Sequence, residues 1–279
     1  MREIAAERIT QTVAKLCVDA NCQLPSDVKD CIEKCRIQES WEPAKGVLDR
    51  ITENYQIAYE ENCPICQDTG VACVFLKIGQ DVHITGDLTE AVNEGVRRGY
   101  REGYLRKSVV ADPLDRVNTG DNTPAMLYTE LVPGDKVEIT VAPKGFGSEN
   151  MSAVKMLKPS DGVEGVKDFV VQTVKNAGPN PCPPIVVGVG IGGTFDKAAY
   201  LAKRALLRPL DSSHEKPYYQ ALEQALLEMI NALGIGPAGF GGRTTALKVN
   251  IETFPTHIAG LPVAVNINCH VSRHQTEVL

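Results

Sequence analysis

Several things are scarce in this sequence, and each absence narrows what it can be. No apolar run approaches the roughly 20 residues that a membrane-spanning helix needs. The N-terminus, Met1-Arg2-Glu3-Ile4, lacks the charged-then-apolar layout of a signal peptide. Both absences lead us to expect a cytosolic chain. Basic charge is in deficit, with 29 Lys and Arg against 35 Asp and Glu and a formal net charge of −6. That balance argues against non-specific nucleic-acid binding, which wants a basic face. There is no Walker string, no internal repeat and no low-complexity linker. There is one C-x-x-C pair, Cys63 and Cys66, and no second one. Cysteine itself is plentiful: nine residues, an odd number. In a cytosolic chain these read as reduced thiols or metal ligands and fit poorly with a closed disulfide framework.

What is present is ordinary globular material. The 279 residues are 43% hydrophobic and 23% charged, enough for one large domain or two lobes. Residues 1–60 read as helical, with Ile4, Ile9, Val13 and Leu16 near helical spacing and a clearer stripe at Val47, Leu48, Ile51, Tyr55 and Ala58. Cys17, Cys22, Cys31 and Cys35 fall in this part; Cys31 and Cys35, one turn apart, could share a ligand or be small buried residues. Strands are expected at 71–78, 125–131, 136–141, 246–251 and 261–267, with Pro133-Gly134-Asp135 making a hairpin of the second and third, and within 185–194 a buried strand runs into a glycine-rich turn. Helices are expected at 87–104, 165–176, 196–207 and 217–233, the last with Leu222, Leu226, Met229 and Leu233 in phase. Strand-hairpin and strand-helix units are mixed, so the expected fold is α+β (mixed α/β). A sheet core would carry packed helices, with a helical part to about residue 60 and a mixed α/β part from about 61 to 279.

The chemistry concentrates in loops. Asn62-Cys63-Pro64-Ile65-Cys66-Gln67-Asp68-Thr69-Gly70 packs thiols, an acid, a hydroxyl and a glycine into a stretch that Pro64 and the Asp-Thr-Gly turn keep out of helix. Cys182 sits in Pro181-Cys182-Pro183-Pro184 and Cys269 in Asn268-Cys269-His270. Three thiols on three distant loops suit a metal centre assembled by folding. An iron–sulfur cluster usually takes four cysteines, and three would leave one iron open to a substrate oxygen. Zinc prefers a closed set of four, and unliganded thiols remain a third reading. Arg106, Lys144 and Arg243 lie in glycine- or turn-rich stretches, where converging cations suit the capture of carboxylates. Singly, each also reads as a surface charge. In 143–150, Gly145 and Gly147 permit close approach of backbone N–H groups to an anion. Asp68 is a candidate proton-transfer group or a turn-stabilising residue. His257 is a candidate for polarising a substrate carboxylate, or a hydrogen-bonded structural histidine. The string Gly188-Val189-Gly190-Ile191-Gly192-Gly193 matches G-x-G-x-x-G but lacks a surrounding dinucleotide-binding half. A turn beside a bulky centre, opening a helix N-terminus towards an anion, is the plainer reading.

The strings PICQDTG (64–70), LRKS (105–108), APKGFGSEN (142–150), CPP…GVGIGGTFDKA (182–198) and GFGGRTTAL…THIAGLPVAVNINCHVSRH (239–274) resemble the alpha component of class I, iron–sulfur-dependent fumarate hydratases. They also resemble L-tartrate dehydratase alpha subunits, with the same motif order over nearly the whole chain. The resemblance implies a [4Fe–4S] cluster on Cys66, Cys182 and Cys269 whose fourth iron binds substrate. It implies substrate contacts from Gln67, Asp68 and Arg106, an active-site role for His257, and a glycine loop at Lys144 to Ser148, where Phe146 replaces a glycine. It leaves Cys17, Cys22, Cys31, Cys35, Cys63 and Cys73 without a role. Single-chain members carry a further C-terminal domain with catalytic residues; this chain stops at Leu279. The expectation is therefore the alpha half of an alpha2-beta2 hydro-lyase whose site a beta subunit completes. Fumarate hydration to S-malate is expected ahead of L-tartrate dehydration, on the look of the APKGFGSEN and GIGGTFDKA strings. A non-catalytic metal-binding scaffold is the reading from another class.

Overall fold

The computed structural model describes residues 1–279, and its fold is mixed α/β. The chain divides into two compact units that interleave in sequence. Unit 1 takes Met1–Pro25, Asn54–Gly145 and Arg273–Leu279; unit 2 takes Ser26–Glu53 and Phe146–Ser272. In chain order the elements are β1 (Arg2–Ala5), α1 (Ala6–Cys22), α2 (Ser26–Gln38), α3 (Glu42–Glu60), β2 (Val71–Gly79), β3 (Val82–Thr85), α4 (Leu88–Glu102), β4 (Met126–Val132) and β5 (Val137–Lys144). They continue with α5 (Phe146–Glu149), β6 (Ala153–Leu157), α6 (Gly162–Ala177), β7 (Ile185–Gly192), α7 (Phe195–Ala205), α8 (Pro217–Asn231), β8 (Ala246–Phe254), β9 (Leu261–Asn268) and β10 (Gln275–Val278). No helix is long and apolar enough to cross a membrane.

Unit 1 is a four-stranded sheet, β10-β5-β2-β4, with a small parallel pair, β1-β3. β2 runs antiparallel to β5 and parallel to β4. The hairpin expected at Pro133-Gly134-Asp135 is therefore absent: β2 lies between β4 and β5. The reason is burial. Val74, Leu76 and most of β2 are inaccessible to water, so β2 needs a neighbour on each side, whereas β4 alternates outward and sits at the edge. Helices α1 and α4 cross closely because α4 presents Gly95 and Gly99 to α1. A Cβ on Gly99 would lie 2.6 Å from the Ala14 carbonyl oxygen. Asp87 caps α4, accepting from the Glu90 N–H at 2.9 Å. The core gathers Ile9, Val13, Leu16, Val74, Val96, Tyr100 and Ile139. Ile4, placed in the helical stripe by spacing, lies instead on β1 and is buried there.

Unit 2 is a sheet in the order β6-β9-β7-β8, parallel between β7 and β8 and antiparallel between β7 and β9. Every residue of β7 is buried, and its period-two pattern explains the glycine string. Ile185, Val187, Val189 and Ile191 face the core built with α6 and α8, where Val170, Leu226 and Ile230 pack. Gly188 and Gly190 face α7, whose Ala198 and Ala202 lie against them: a Cβ on Gly188 would be 2.1 Å from the Ala202 carbonyl oxygen, and one on Gly190 2.1 Å from that of Ala198. The glycines thus permit strand–helix contact, and neither a dinucleotide turn nor an anion-binding helix start accounts for them. The turn itself falls to Gly192 and Gly193, at φ 95 and 69°. On α8, Ile230 rather than Met229 completes the buried stripe, since Met229 is partly exposed.

Two glycine substitutions should move stability in opposite directions. Gly190→Ala drives a methyl into backbone that cannot yield and should cost about 3 kcal/mol, the upper end of overpacking losses. Gly46→Ala lies in α3 with nothing within 4 Å of the added Cβ, and should stabilise by about 0.5–1 kcal/mol. Urea midpoints of the two variants check both signs.

Candidate metal centre and substrate-binding loops

In unit 1 the functional residues gather around the Asp68-Thr69-Gly70 turn. The chain leaves α3 through Asn62, at φ 49°, and the Cys63–Cys66 stretch is then tied down on both sides. The Ile65 N–H donates to the Asn21 carbonyl at 3.0 Å, and the Asn54 amide donates to the Ile65 carbonyl at 2.8 Å. Cys66 is therefore a half-buried thiol on a fixed backbone. Asp68 Oδ1 accepts from the Gly70 N–H at 3.0 Å, the turn-stabilising bond expected of an Asx residue. Its Oδ2 lies 3.1 Å from where a Cβ on Gly145 would stand, so a side chain there would press on the Asp68 carboxylate.

The turn is held by groups that no motif advertises. The Tyr100 hydroxyl, fully buried on α4, donates towards the Thr69 and Gly70 carbonyls at 2.8 and 3.0 Å. Burial pushes its pKa well above the usual phenol range, which keeps the donor proton in place. The buried Asn122 amide donates to the Gly70 carbonyl at 3.2 Å, and its oxygen accepts from the Ser108 N–H at 2.7 Å. Thr69 Oγ1 donates to the Arg106 carbonyl at 3.0 Å. Gly70, at φ 70°, lies so close to Lys144 that a Cβ would be 2.6 Å from its carbonyl. Thus Cys66, Gln67, Asp68, Arg106, Lys144 and Gly145 are brought together. Gln67 and Arg106 are exposed. Lys144 is buried at the end of β5, with Nζ 3.4 Å from the Gly145 carbonyl.

In unit 2 strand register does the assembling. Val186 pairs with Asn268, so the start of β7 and the end of β9 share one end of the sheet. Cys182 precedes the one and Cys269 follows the other. Cys182 is exposed and left-handed, at φ 54°, an uncommon conformation for a side-chain-bearing residue. Its carbonyl accepts from the His270 backbone N–H at 3.4 Å and lies 3.0 Å from Nδ1 of the same residue, which must carry the ring proton to donate there. β8 starts at this end too, placing Arg243 beside it: the Ala238 N–H donates to the Pro183 carbonyl at 2.8 Å. Gly147, in the short helix α5 that replaces the expected glycine loop, backs onto the Asn180 carbonyl. His257 is not part of this group. It follows β8 at the opposite end of the sheet, a strand length of about 25 Å away. There it is exposed on the rim of a 360 Å³ cleft lined by Val166, Ile191, Tyr219 and Leu222.

The exposed Arg243 is carried by a loop that a buried carboxylate anchors. Glu39 Oε2 accepts from the Arg243 N–H at 2.7 Å, while Oε1 accepts from the Ser40 and Trp41 N–H groups, both at 3.0 Å. The Trp41 indole donates to the Phe240 carbonyl at 2.9 Å. The sequence carries no signal for Glu39, a single acid at a helix end.

Neither unit by itself gathers three or more His, Cys, Asp or Glu side chains as a metal-holding group. Chemistry separates the thiols. Cys17 is fully buried and pushed up to about 12 by loss of hydration, so it stays a protonated core residue. Cys31 and Cys35 form a hydrogen-bonded pair on α2, in which the Cys31 thiol holds Cys35 below the usual thiol range. Cys66 and Cys269 are half-buried and Cys182 is exposed; Cys63, on the same loop as Cys66, is half-buried too.

Glu39→Ala should cost about 1.5–3 kcal/mol, because it strips the carboxylate acceptor from three part-buried N–H groups. Glu39→Gln keeps the Arg243 contact and should lose less. Denaturant unfolding of both variants measures the difference.

Residues 10–278 match the Fumarate hydratase (Fumerase) family. A putative L(+)-tartrate dehydratase subunit alpha from Methanocaldococcus jannaschii is 48% identical over 273 residues, 95% of each chain. The L(+)-tartrate dehydratase subunits alpha of Escherichia coli K12 and Shigella sonnei are each 34% identical over 279 residues, 99% of this chain and 92% of theirs. With the matched region taking in the Asp68 turn, the Arg243 loop and both sheet-end cysteines, the chain belongs to the fumarate hydratase (fumerase) family.

Proposed function

We propose that the chain is the alpha subunit of a [4Fe–4S]-dependent hydro-lyase that removes water from L(+)-tartrate. The observation that carries the substrate is the identity of the relatives. Those matching nearly end to end bear the tartrate name, which favours tartrate over the fumarate expected from the strings. Cys66, Cys182 and Cys269 are the proposed ligands. Their loops are anchored, their thiols are not core-buried, and a buried guanidinium beside the Asp68 turn, Arg273, has N–H groups with no acceptor, which an anionic group would satisfy. When bound, the cluster supplies an iron with an open position that withdraws charge from the departing hydroxyl.

The chain's own residues then divide the work. Arg106 and Arg243 hold carboxylates, and the Gln67 amide and the backbone N–H groups of Gly145 and Gly147 add donors. Asp68, fixed at Oδ1 by the Gly70 N–H, is the proposed group that orients or takes a proton. In the overall reaction a C–H and the neighbouring C–OH bond break, proton and hydroxide leave as water, and the enol formed becomes the 2-oxo acid. His257 stands a sheet length from the sheet-end cysteines, so its part in this reaction would require a second copy of the chain to present it. A separate beta subunit, implied by the relatives' designation as alpha, completes the site, in an alpha2-beta2 assembly.

Anaerobic co-expression with the beta subunit tests this. The complex should turn over L(+)-tartrate faster than S-malate, and the isolated chain should be nearly inactive; a preference for malate moves the assignment to fumarate hydratase. Ser at Cys66, Cys182 or Cys269 should abolish the visible iron–sulfur absorbance. If Cys63→Ser destroys it and Cys182→Ser does not, the ligand set is wrong. Asp68→Asn should keep the cluster and lose roughly 10²–10⁴-fold in turnover.

A further inference from the structure

Arg273 is the least explained charge in the molecule. Only 4% of it is exposed. One Nη2–H donates to the Asp68 carbonyl at 2.5 Å, while Nε and Nη1 are buried with no acceptor. Its one bond goes to a carbonyl, and no carboxylate pairs with it. Its field reaches the Cys22 thiol and the Tyr100 hydroxyl: burial pushes both up, and the guanidinium opposes that push. A buried cation with idle donors is costly, a cost that a fold tolerates when the bound state supplies the anion.

We infer that Arg273 is the positioning and charge-compensating residue of the cluster at Cys66. Its Nη2–H fixes the peptide of Asp68, and its Nε–H and Nη1–H donate to the sulfur acceptors that an anionic iron–sulfur group brings to the neighbouring Cys66. This rests on the cluster reading above. Hydrogen bonds and positive charge near cluster sulfurs raise the potential and slow loss of iron. The other source of an anion, a substrate carboxylate, would couple Arg273 to KM instead.

The test uses the full chain with its beta subunit, reconstituted anaerobically, as wild type, Arg273→Met and Arg273→Lys. Three quantities are read: iron release to a chelator, the cluster midpoint potential, and the Tm of the iron-free protein. Arg273→Met should release iron roughly 10–100-fold faster and lower the potential, while the iron-free Tm holds or rises because an unpaired buried charge is gone. Arg273→Lys, which keeps the charge with fewer fixed donors, should fall between. A lowered iron-free Tm with unchanged iron release would make Arg273 an anchor for Asp68 alone and overturn the inference. So would a change in the KM for tartrate with unchanged iron release. Wild-type protein that takes up no iron would instead overturn the cluster reading itself.

Discussion

The pairing of β7 with β9 sets the end of unit 2 on which the sheet-end site depends. Because the strands run antiparallel with Val186 opposite Asn268, the residue stretches before β7 and after β9 must emerge side by side. A one-residue slip would turn Val263, Val265 and Ile267 out of the core. The register is therefore enforced by burial along the whole strand, and the position of Cys182 relative to Cys269 inherits that rigidity. The glycine face of β7 serves the same end, letting α7 clamp the strand from behind.

Unit 1 solves a different problem. A loop carrying Cys66 and Asp68 has no strand to stiffen it from within, so it borrows stiffness from Tyr100, Asn122 and Thr69, all fully or almost fully buried. These side chains satisfy backbone groups that would otherwise be left unpaired in the interior. The consequence is a carboxylate whose two oxygens have different surroundings: one spent on the turn, the other over Gly145. Preorganisation of this kind suits the proton-transfer role proposed for Asp68.

Most elements of the fold could be read from the sequence, because apolar periodicity and turn residues act locally. The helices at 88–102, 162–177, 195–205 and 217–231 and the strands at 71–79, 246–254 and 261–268 fall close to where the pattern puts them. Long-range pairing could not be read. Pro133-Gly134-Asp135 is a sound local turn signal, yet the demand of β2 for two neighbours overrides it. Short or edge strands such as β3, β6 and β10 carry too few buried residues to announce themselves. At the site, thiols and turn motifs were visible because they form strings. Glu39, Tyr100, Asn122 and Arg273 were not: each is a single polar residue whose importance comes from what folding places against it. The opposite-end position of His257 is likewise a property of strand direction, which composition and spacing do not reveal.

The interleaving of the units has a consequence for the order in which the protein can be made. Residues 273–279 belong to unit 1 but are synthesised after all of unit 2. They supply β10, which pairs with β5, and Arg273, which holds the Asp68 peptide. On the ribosome, unit 1 must wait as an unfinished sheet, with the β5 edge open, while unit 2 is translated. Its Asp68 turn gains its last bond once the chain has returned. Nascent chains halted before residue 273 would therefore display an unpaired strand edge, which invites association with other chains.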